Sequence, residues 1–218
     1  MSLKTTTYSQ SRWSLADLFT SVEGSEFQNA LGELEKQVAA FEAIRPQLKE
    51  DLPVETFLGF LKQMESIAMA ESRLYGFVEL MFSENTQNQA ALSNLQKVDQ
   101  AMAELGNRTL FFSLWWKELS DAPAERLMAG AGDFRYFLEE MRHFKPHTLT
   151  EAEEKIINLK NVTGANALNT LYETITNGYV FHLTVNGEAK DLTRGELMSY
   201  VRQHNPELRA RAYQELYK

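Results

Sequence analysis

The four histidines are the first place to look for chemistry, because imidazole nitrogens bind metals and move protons near neutral pH. His143 and His147 are four residues apart, a spacing that can place two imidazoles on one helix face for zinc. Pro146 lies between them and breaks a helix, and Phe144 stands where a His-Glu-x-x-His helix carries its glutamate. We therefore interpret this pair as a solvent-facing helix end, with His143 near the negative C-terminus of the helix.

The remaining histidines give no stronger pattern. Glu140 and His143 form one Glu-x-x-His unit, whereas di-iron bundles need two such units and two further carboxylates. His182 falls in a predicted strand, where packing explains it, and His204 falls at a predicted helix C-terminus. We assign no catalytic residue and no metal ligand, and the sequence leaves any substrate-binding residues unknown.

Other catalytic patterns are missing. The chain has no cysteine, which excludes disulfides, thiolate zinc sites and cysteine nucleophiles. It has no Gly-x-Ser-x-Gly, no phosphate-binding glycine loop and no dinucleotide fingerprint. Four aromatic residues could line a ligand or peptide groove. Their spacing puts residues 111 and 115 on one helix face and residues 112 and 116 on another, so core packing is favoured. They are Phe111, Phe112, Trp115 and Trp116.

Composition narrows the function classes. The 218 residues are 44% hydrophobic and 24% charged, as in globular proteins, and glycine (11) and proline (5) are scarce, which favours helices. The net charge of −8 argues against binding to nucleic acid or to an anionic membrane. No apolar run approaches 18 residues and no secretory signal is visible, so we expect a cytoplasmic protein without a membrane span.

The elements that must position any site are mostly helical. We expect a short helix opened by Ser14, and longer helices follow from apolar spacing and from start and stop signals. The predicted helices cover about 25–45, 53–82, 89–119, 134–144, a segment starting at 150, 193–203, and a last one from 206 that still runs at Lys218. A loop-like stretch is expected over 161–165.

The spacing of the apolar residues changes from a helical to a strand period in one stretch of the sequence. Residues 179–185 alternate among β-formers, Asn186-Gly187 is a strong two-residue turn signal, and 188–192 returns as a second strand. The sequence therefore predicts a mainly α chain with one β-hairpin near 179–192. We divide it into a polar tail (1–13), a bundle-like helical subdomain (14–145) and a mixed segment (146–218). A single two-stranded hairpin is only marginally stable by itself, so we expect this chain to be a piece of a longer protein. A dimer of the chain is another way to cover the hairpin.

The last third of the chain resembles a known family. Pro-His-Thr-Leu-Thr-Glu-Ala-Glu-Glu-Lys at 146–155 is similar to the Pro-His-x-Leu-(Ser/Thr)-Glu-x-Glu-Glu-Lys stretch of the oligoendopeptidase F family, zinc metallopeptidases related to thimet oligopeptidase. Trp-Ser-Leu-Ala-Asp-Leu-Phe at 13–19 is similar to the family's opening. The likeness continues through 161–164, 186–188, 192–193 and 205–213.

The resemblance implies a large helical molecule with a deep channel and zinc at its floor. Its N-terminal portion forms one wall and restricts the channel to short peptides. The zinc helix carries His-Glu-x-x-His with a glutamate ligand downstream, and no His-Glu pair occurs in this sequence. No catalytic residue or metal ligand is therefore carried over, zinc is implied only for a full-length parent, and this chain alone is expected to be inactive.

Two hypotheses remain. The first is the N-terminal region of a zinc metallopeptidase, with short peptides as substrates and a C-terminal catalytic domain as partner. The second is a free-standing helical adaptor that binds a partner helix or peptide in its aromatic groove. The reading frame beyond Lys218 distinguishes them, because the first predicts His-Glu-x-x-His there and the second predicts a stop codon.

Overall fold

The computed structural model describes residues 14–218, so the polar tail predicted over 1–13 lies outside the described residues. The described chain is mainly α-helical with one two-stranded antiparallel sheet, which confirms the predicted fold class. Its helices are α1 (Ser25–Glu42), α2 (Val54–Glu84), α3 (Gln89–Glu118), α4 (Asp121–Ala129), α5 (Arg135–His143), α6 (Glu151–Thr163), α7 (Ala165–Asn177), α8 (Arg194–Val201) and α9 (Pro206–Leu216). Its strands are β1 (Phe181–Val185) and β2 (Glu188–Leu192).

The first three helices pack against one another around the main core. At 1.5 Å per residue, α2 and α3 are each about 45 Å long, and the short turn over 85–88 reverses the chain between them. Asn88 is the N-cap of α3, and its side-chain oxygen accepts hydrogen bonds from the backbone N–H groups of Ala90 and Ala91. The largest fully buried side chains include Phe41, Phe57, Phe112 and Trp116.

The segment before α1 is not the short helix that Ser14 was expected to open. The structure has a turn there, in which the N–H groups of Leu18 and Phe19 both donate to the carbonyl of Leu15, at 2.9 and 3.1 Å. A helix this short cannot offset its nucleation cost, and the turn alone is enough to bury Phe19 against Phe27, with ring centroids 5.1 Å apart.

Arg142 joins α5 to the end of α3. Its guanidinium donates to the carbonyls of Trp116 and Leu119, both at 2.9 Å, and to Oδ1 of Asp121 at 2.6 Å. These carbonyls lie where α3 ends and have lost their helical partners, so Arg142 satisfies them. The helix predicted over 134–144 is confirmed as α5, preceded by a 3-10 turn over Gly132–Phe134.

Helix α6, predicted as a segment starting at 150, begins with a capping box. Oγ1 of Thr150 accepts the N–H of Glu153, and the Glu153 carboxylate accepts the N–H of Thr150. The helix lies along α3, where Nδ2 of Asn107 donates to the carbonyl of Lys155 at 3.2 Å, and Asn158 donates back to Oδ1 of Asn107 at 2.9 Å. This amide pair fixes the register of α6 on α3.

The stretch expected to be a loop over 161–165 is almost entirely helical. α6 continues to Thr163, α7 begins at Ala165, and Gly164 alone breaks the helix, with φ −109° and ψ −100°. A Cβ at Gly164 would lie 2.8 Å from the carbonyl oxygen of Lys160. Glycine therefore permits a sharp bend between two helices where the sequence suggested a longer loop.

The hairpin is confirmed with the predicted turn. β1 pairs antiparallel with β2, and Asn186 and Gly187 have φ of 53° and 85°, as a two-residue turn with both central residues left-handed requires. Thr193 caps α8 through a second capping box, and Asn205 caps α9. The last helix does not run to Lys218 as expected but ends at Leu216.

Buried side chains form two separate clusters. The larger extends from Phe19 to Leu138, and the smaller joins Leu183, Val185, Leu192, Leu197 and Ala212 of the hairpin, α8 and α9. The domain boundary between 145 and 146 stays a prediction. No helix in residues 14–218 combines the length and the apolar character that crossing a bilayer would need.

Glu71 on α2 is a charge on an otherwise apolar helix face. Burial raises its pKa, and no ion pair within residues 14–218 involves it. A raised pKa in the folded state means that the ionised form opposes folding, and the penalty disappears below the ordinary glutamate pKa of about 4.3. We expect Glu71→Gln to raise the urea midpoint at pH 7 and to leave it unchanged near pH 3.5.

The control is Glu65→Gln, which removes an exposed carboxylate from the same helix. It should not change the midpoint at either pH. A Glu71→Gln midpoint that is equal to wild type at pH 7, or lower, would contradict the account of this site.

Candidate functional site

The four histidines lie at a helix end, in a 3-10 turn, on the hairpin and in a bend. His143 ends α5, exposed and beside Glu140 (Nδ1 to Oε1, 3.5 Å), while His147 lies in the 3-10 turn that contains Pro146. His182 faces Asp191 across the hairpin, with Nδ1 2.7 Å from Oδ1, and both side chains are exposed. His204 lies in the bend before α9.

No group of three histidine, aspartate or glutamate side chains within residues 14–218 is placed to hold a metal ion. A zinc site needs at least three protein ligands in fixed geometry, so the described residues do not fit zinc. No catalytic step is therefore assigned to a metal bound by this chain.

The aromatic cluster belongs to the core, as its spacing predicted. Trp116, Phe112 and Phe111 are at most 5% exposed, and only Trp115 is half-buried. The Trp116 ring stacks on Phe57 with centroids 5.2 Å apart, and its Nε1 donates to the carbonyl of Leu138 at 3.0 Å. No aromatic groove is open at this position, so an adaptor would have to use a different surface.

A different apolar surface is exposed on α7. Four large side chains recur at i, i+3, i+4 and i+7, which is one helix face, and their exposed fractions range from 49% to 66%. We call them the α7 stripe: Leu168, Leu171, Tyr172 and Ile175. Neither α6 nor α7 contains a fully buried side chain, although both are amphipathic.

Exposed apolar side chains also occur before and after the α7 stripe along the chain. Ile156 and Leu159 on α6 are 59% and 40% exposed, and Tyr179 and Val180 after α7 are 56% and 57% exposed. Exposed apolar side chains that share one helix face, as in the α7 stripe, often mark an interface. The sequence reasoning missed this surface, because the spacing shows an apolar face without showing whether anything covers it.

The opposite edge of α7 lines a polar cleft. It lies between α2, α3 and α7 and has a volume of about 400 Å³. We call it the acidic cleft; its polar lining includes Tyr75 and Glu79 of α2, Asp99 of α3, and Asn166 and Glu173 of α7. No sequence motif marks it, since its residues come from three helices far apart in the chain.

Burial and charge both act on the groups in the acidic cleft. Burial raises the pKa of Tyr75 to about 12, and the negative charges of Asp99 and Glu79 add to the effect. Burial also raises the pKa of Asp99, although hydrogen bonds from Tyr75 and Asn166 oppose that shift. Tyr75, Asp99 and Asn166 thus bring side chains of α2, α3 and α7 together in one cleft.

Comparisons with known proteins give the family context. Residues 115–181 match the family model described as Oligopeptidase F. The resemblance to the oligoendopeptidase F family is confirmed. The matched segment runs from the end of α3 to the first residue of β1, and it contains the whole α7 stripe.

A solved structure has a similar fold. Oligoendopeptidase F from Enterococcus faecium superposes with a TM-score of 0.65 at 16% identity, covering 88% of this chain and 37% of that one. A provisionally assigned peptidase from Chlamydophila abortus gives a TM-score of 0.47 at 18% identity, over 93% of this chain and 34% of that one. No curated protein sequence is significantly similar to the chain. The chain thus spans about a third of the length of these structures.

Proposed function

We propose that this chain is the N-terminal region of a zinc metallopeptidase that cleaves short oligopeptides, where it forms part of the channel wall and limits substrate size. The observation that carries the proposal is the match of residues 115–181 to Oligopeptidase F. The zinc and its ligands would come from a C-terminal catalytic portion. A cytoplasmic location is part of the proposal, and the absence of cysteine is consistent with it.

The exposed α7 stripe supports the proposal that a C-terminal catalytic portion packs against this chain. Its side chains lie inside the matched segment and remain about half to two-thirds exposed in the described chain. Covering an aliphatic or aromatic side chain contributes roughly 1.5–3 kcal/mol, so a catalytic portion packed on the stripe would be held strongly. A dimer of this chain by itself would use the same surface.

The long helices suit the role of a wall. α2 and α3 extend about 45 Å side by side, and their shared core of stacked aromatic rings resists bending. A rigid wall excludes folded proteins from a channel because it cannot move aside. In the parent, zinc would supply an activated water and an electrostatic partner for the developing oxyanion.

The experiment uses the complete gene product. We expect its reading frame to encode His-Glu-x-x-His, its zinc content to be one per chain, and a quenched fluorescent oligopeptide to be hydrolysed. Chelation should abolish hydrolysis and zinc should restore it. A reading frame without that motif, together with no hydrolysis, would contradict the proposal and favour the helical adaptor.

A further inference from the structure

Helix α7 lies over two hollows rather than on a closely packed surface. The acidic cleft borders α7 over residues 166–177, and a second hollow of about 220 Å³ borders it over residues 167–174. We call the second one the apolar hollow, because Leu92 and Leu95 of α3 and Val162 of α6 line it. Together, the two hollows undercut almost the whole length of α7.

Burial does little to hold α7 in place. None of its side chains is fully buried, and its large apolar side chains, those of the α7 stripe, are exposed to solvent. By contrast, α2 and α3 each bury eight side chains. A segment with few buried apolar contacts opens at a low cost in free energy, because its opening exposes little new apolar area.

A side-chain amide fastens the C-terminal end of α7. Nε2 of Gln87, in the turn between α2 and α3, donates to the carbonyl oxygen of Thr174 at 3.0 Å. That carbonyl lies in the last turn of α7, where helical donors run out. A Cβ at Gly178 would lie 3.3 Å from the same Nε2, so the glycine leaves room for the amide. This fastening is a hydrogen bond at the surface, which a small motion breaks.

Both ends of α7 connect to the rest of the chain through glycine. Gly164 makes the sharp bend after α6, and a Cβ there would collide with the carbonyl oxygen of Lys160. After α7 the chain passes through Gly178 into the hairpin, which shares its own buried cluster with α8 and α9. Glycine allows backbone angles that other residues avoid, so Gly164 is suited to act as a hinge. The hairpin does not fix the other end of α7 to the main core, because the two buried clusters are separate.

We propose that α7 is a lid helix. It swings on Gly164 away from α2 and α3, breaks the hydrogen bond from Gln87 to Thr174, and opens the acidic cleft and the apolar hollow into one recess. The two hollows already share lining residues on α3 and α7. The lid does not depend on the proposed function, because the motion belongs to this chain by itself.

The test is ¹⁵N relaxation dispersion together with exchange saturation transfer on the 218-residue chain at pH 7. These measurements detect exchange on the microsecond-to-millisecond timescale of lid motions. We expect the amides of residues 165–177 to share one exchange process that the amides of α2 and α3 lack. The process should not depend on protein concentration, since the lid opens within one molecule. A process that depends on concentration would report association through the α7 stripe and would overturn the proposal.

Two variants should change the open population in opposite directions. Gln87→Ala removes the fastening hydrogen bond and should raise the open population about fivefold, the effect of one ordinary hydrogen bond. Ala167→Leu adds an apolar side chain at the apolar hollow, so it should lower the open population about threefold. The control is Gln100→Ala, which should change nothing because Gln100 donates to Glu104 within α3. The spectrum itself shows whether each variant is folded.

Three further results would overturn the proposal. The first is no exchange at residues 165–177, and the second is the same exchange throughout α2 and α3, which would mean that the whole core opens. The third is an equal open population in Gln87→Ala and Gln100→Ala. The measurement needs no peptidase activity, so its failure leaves the proposed function standing. Equally, failure of the complete gene product to hydrolyse peptides would not remove the lid motion.

Discussion

Trp116→Ala should destabilise the chain by about 3–5 kcal/mol, the cost of removing a large buried aromatic side chain from a packed core. Trp116 is 0% exposed and stacks on Phe57. Its loss also leaves the carbonyl of Leu138 without the indole donor that it now accepts. Urea unfolding followed by circular dichroism measures the change.

The neighbouring tryptophan is the matched control. Trp115 is half-buried and contacts Phe57 and Phe112 at centroid distances of 6.2 and 5.9 Å. Trp115→Ala should therefore cost only about 1–2 kcal/mol. Trp116→Phe keeps a ring and removes the donor, so it should fall between the two. Equal effects of the two alanine variants would contradict the distinction between them.

The sequence predicted elements whose signals are local. The helix starts at Thr150 and Thr193 and the Asn186-Gly187 turn each depend on residues within three positions, so the structure has them where the sequence placed them. The short helix at Ser14 fails for a related reason: its local signal was real, but it was too weak to propagate.

The candidate functional surfaces depend on residues that lie far apart in the chain. The acidic cleft joins Tyr75, Asp99 and Asn166, which no motif connects. The α7 stripe has a clear helical period, yet whether it faces a core or solvent is decided by the other helices. For the pair His143 and His147, the sequence argument against a metal site depends on Pro146, which the structure places in the 3-10 turn after α5, and the absence of a site stays a prediction.

Charged residues on the α7 stripe should weaken its packing against a catalytic portion while leaving the stability of this chain nearly unchanged. In Leu168→Glu/Tyr172→Lys the new residues are four apart in the order that favours a helical ion pair, and the sites are 66% and 65% exposed. The unfolding free energy of this chain should change by less than about 0.5 kcal/mol. In the complete gene product, peptide hydrolysis should fall at least tenfold, because a catalytic portion would have to cover two charges.

Met69→Lys is the control for this double variant. Met69 is 70% exposed on α2, and the new lysine would lie four residues after Glu65, so the change adds a helical ion pair outside the stripe. It should leave hydrolysis unchanged. Equal activity of the stripe variant and wild type would show that the stripe is not an assembly surface.

The most direct test compares two tyrosines in the complete gene product by hydroxyl-radical footprinting. Tyr172 on the α7 stripe and Tyr136 on α5 are 65% and 71% exposed in this chain, so their intrinsic reactivity and their accessibility are matched. If the stripe packs against a catalytic portion, Tyr172 should be modified at least tenfold more slowly than Tyr136. Modification of the two tyrosines at equal rates would contradict the account.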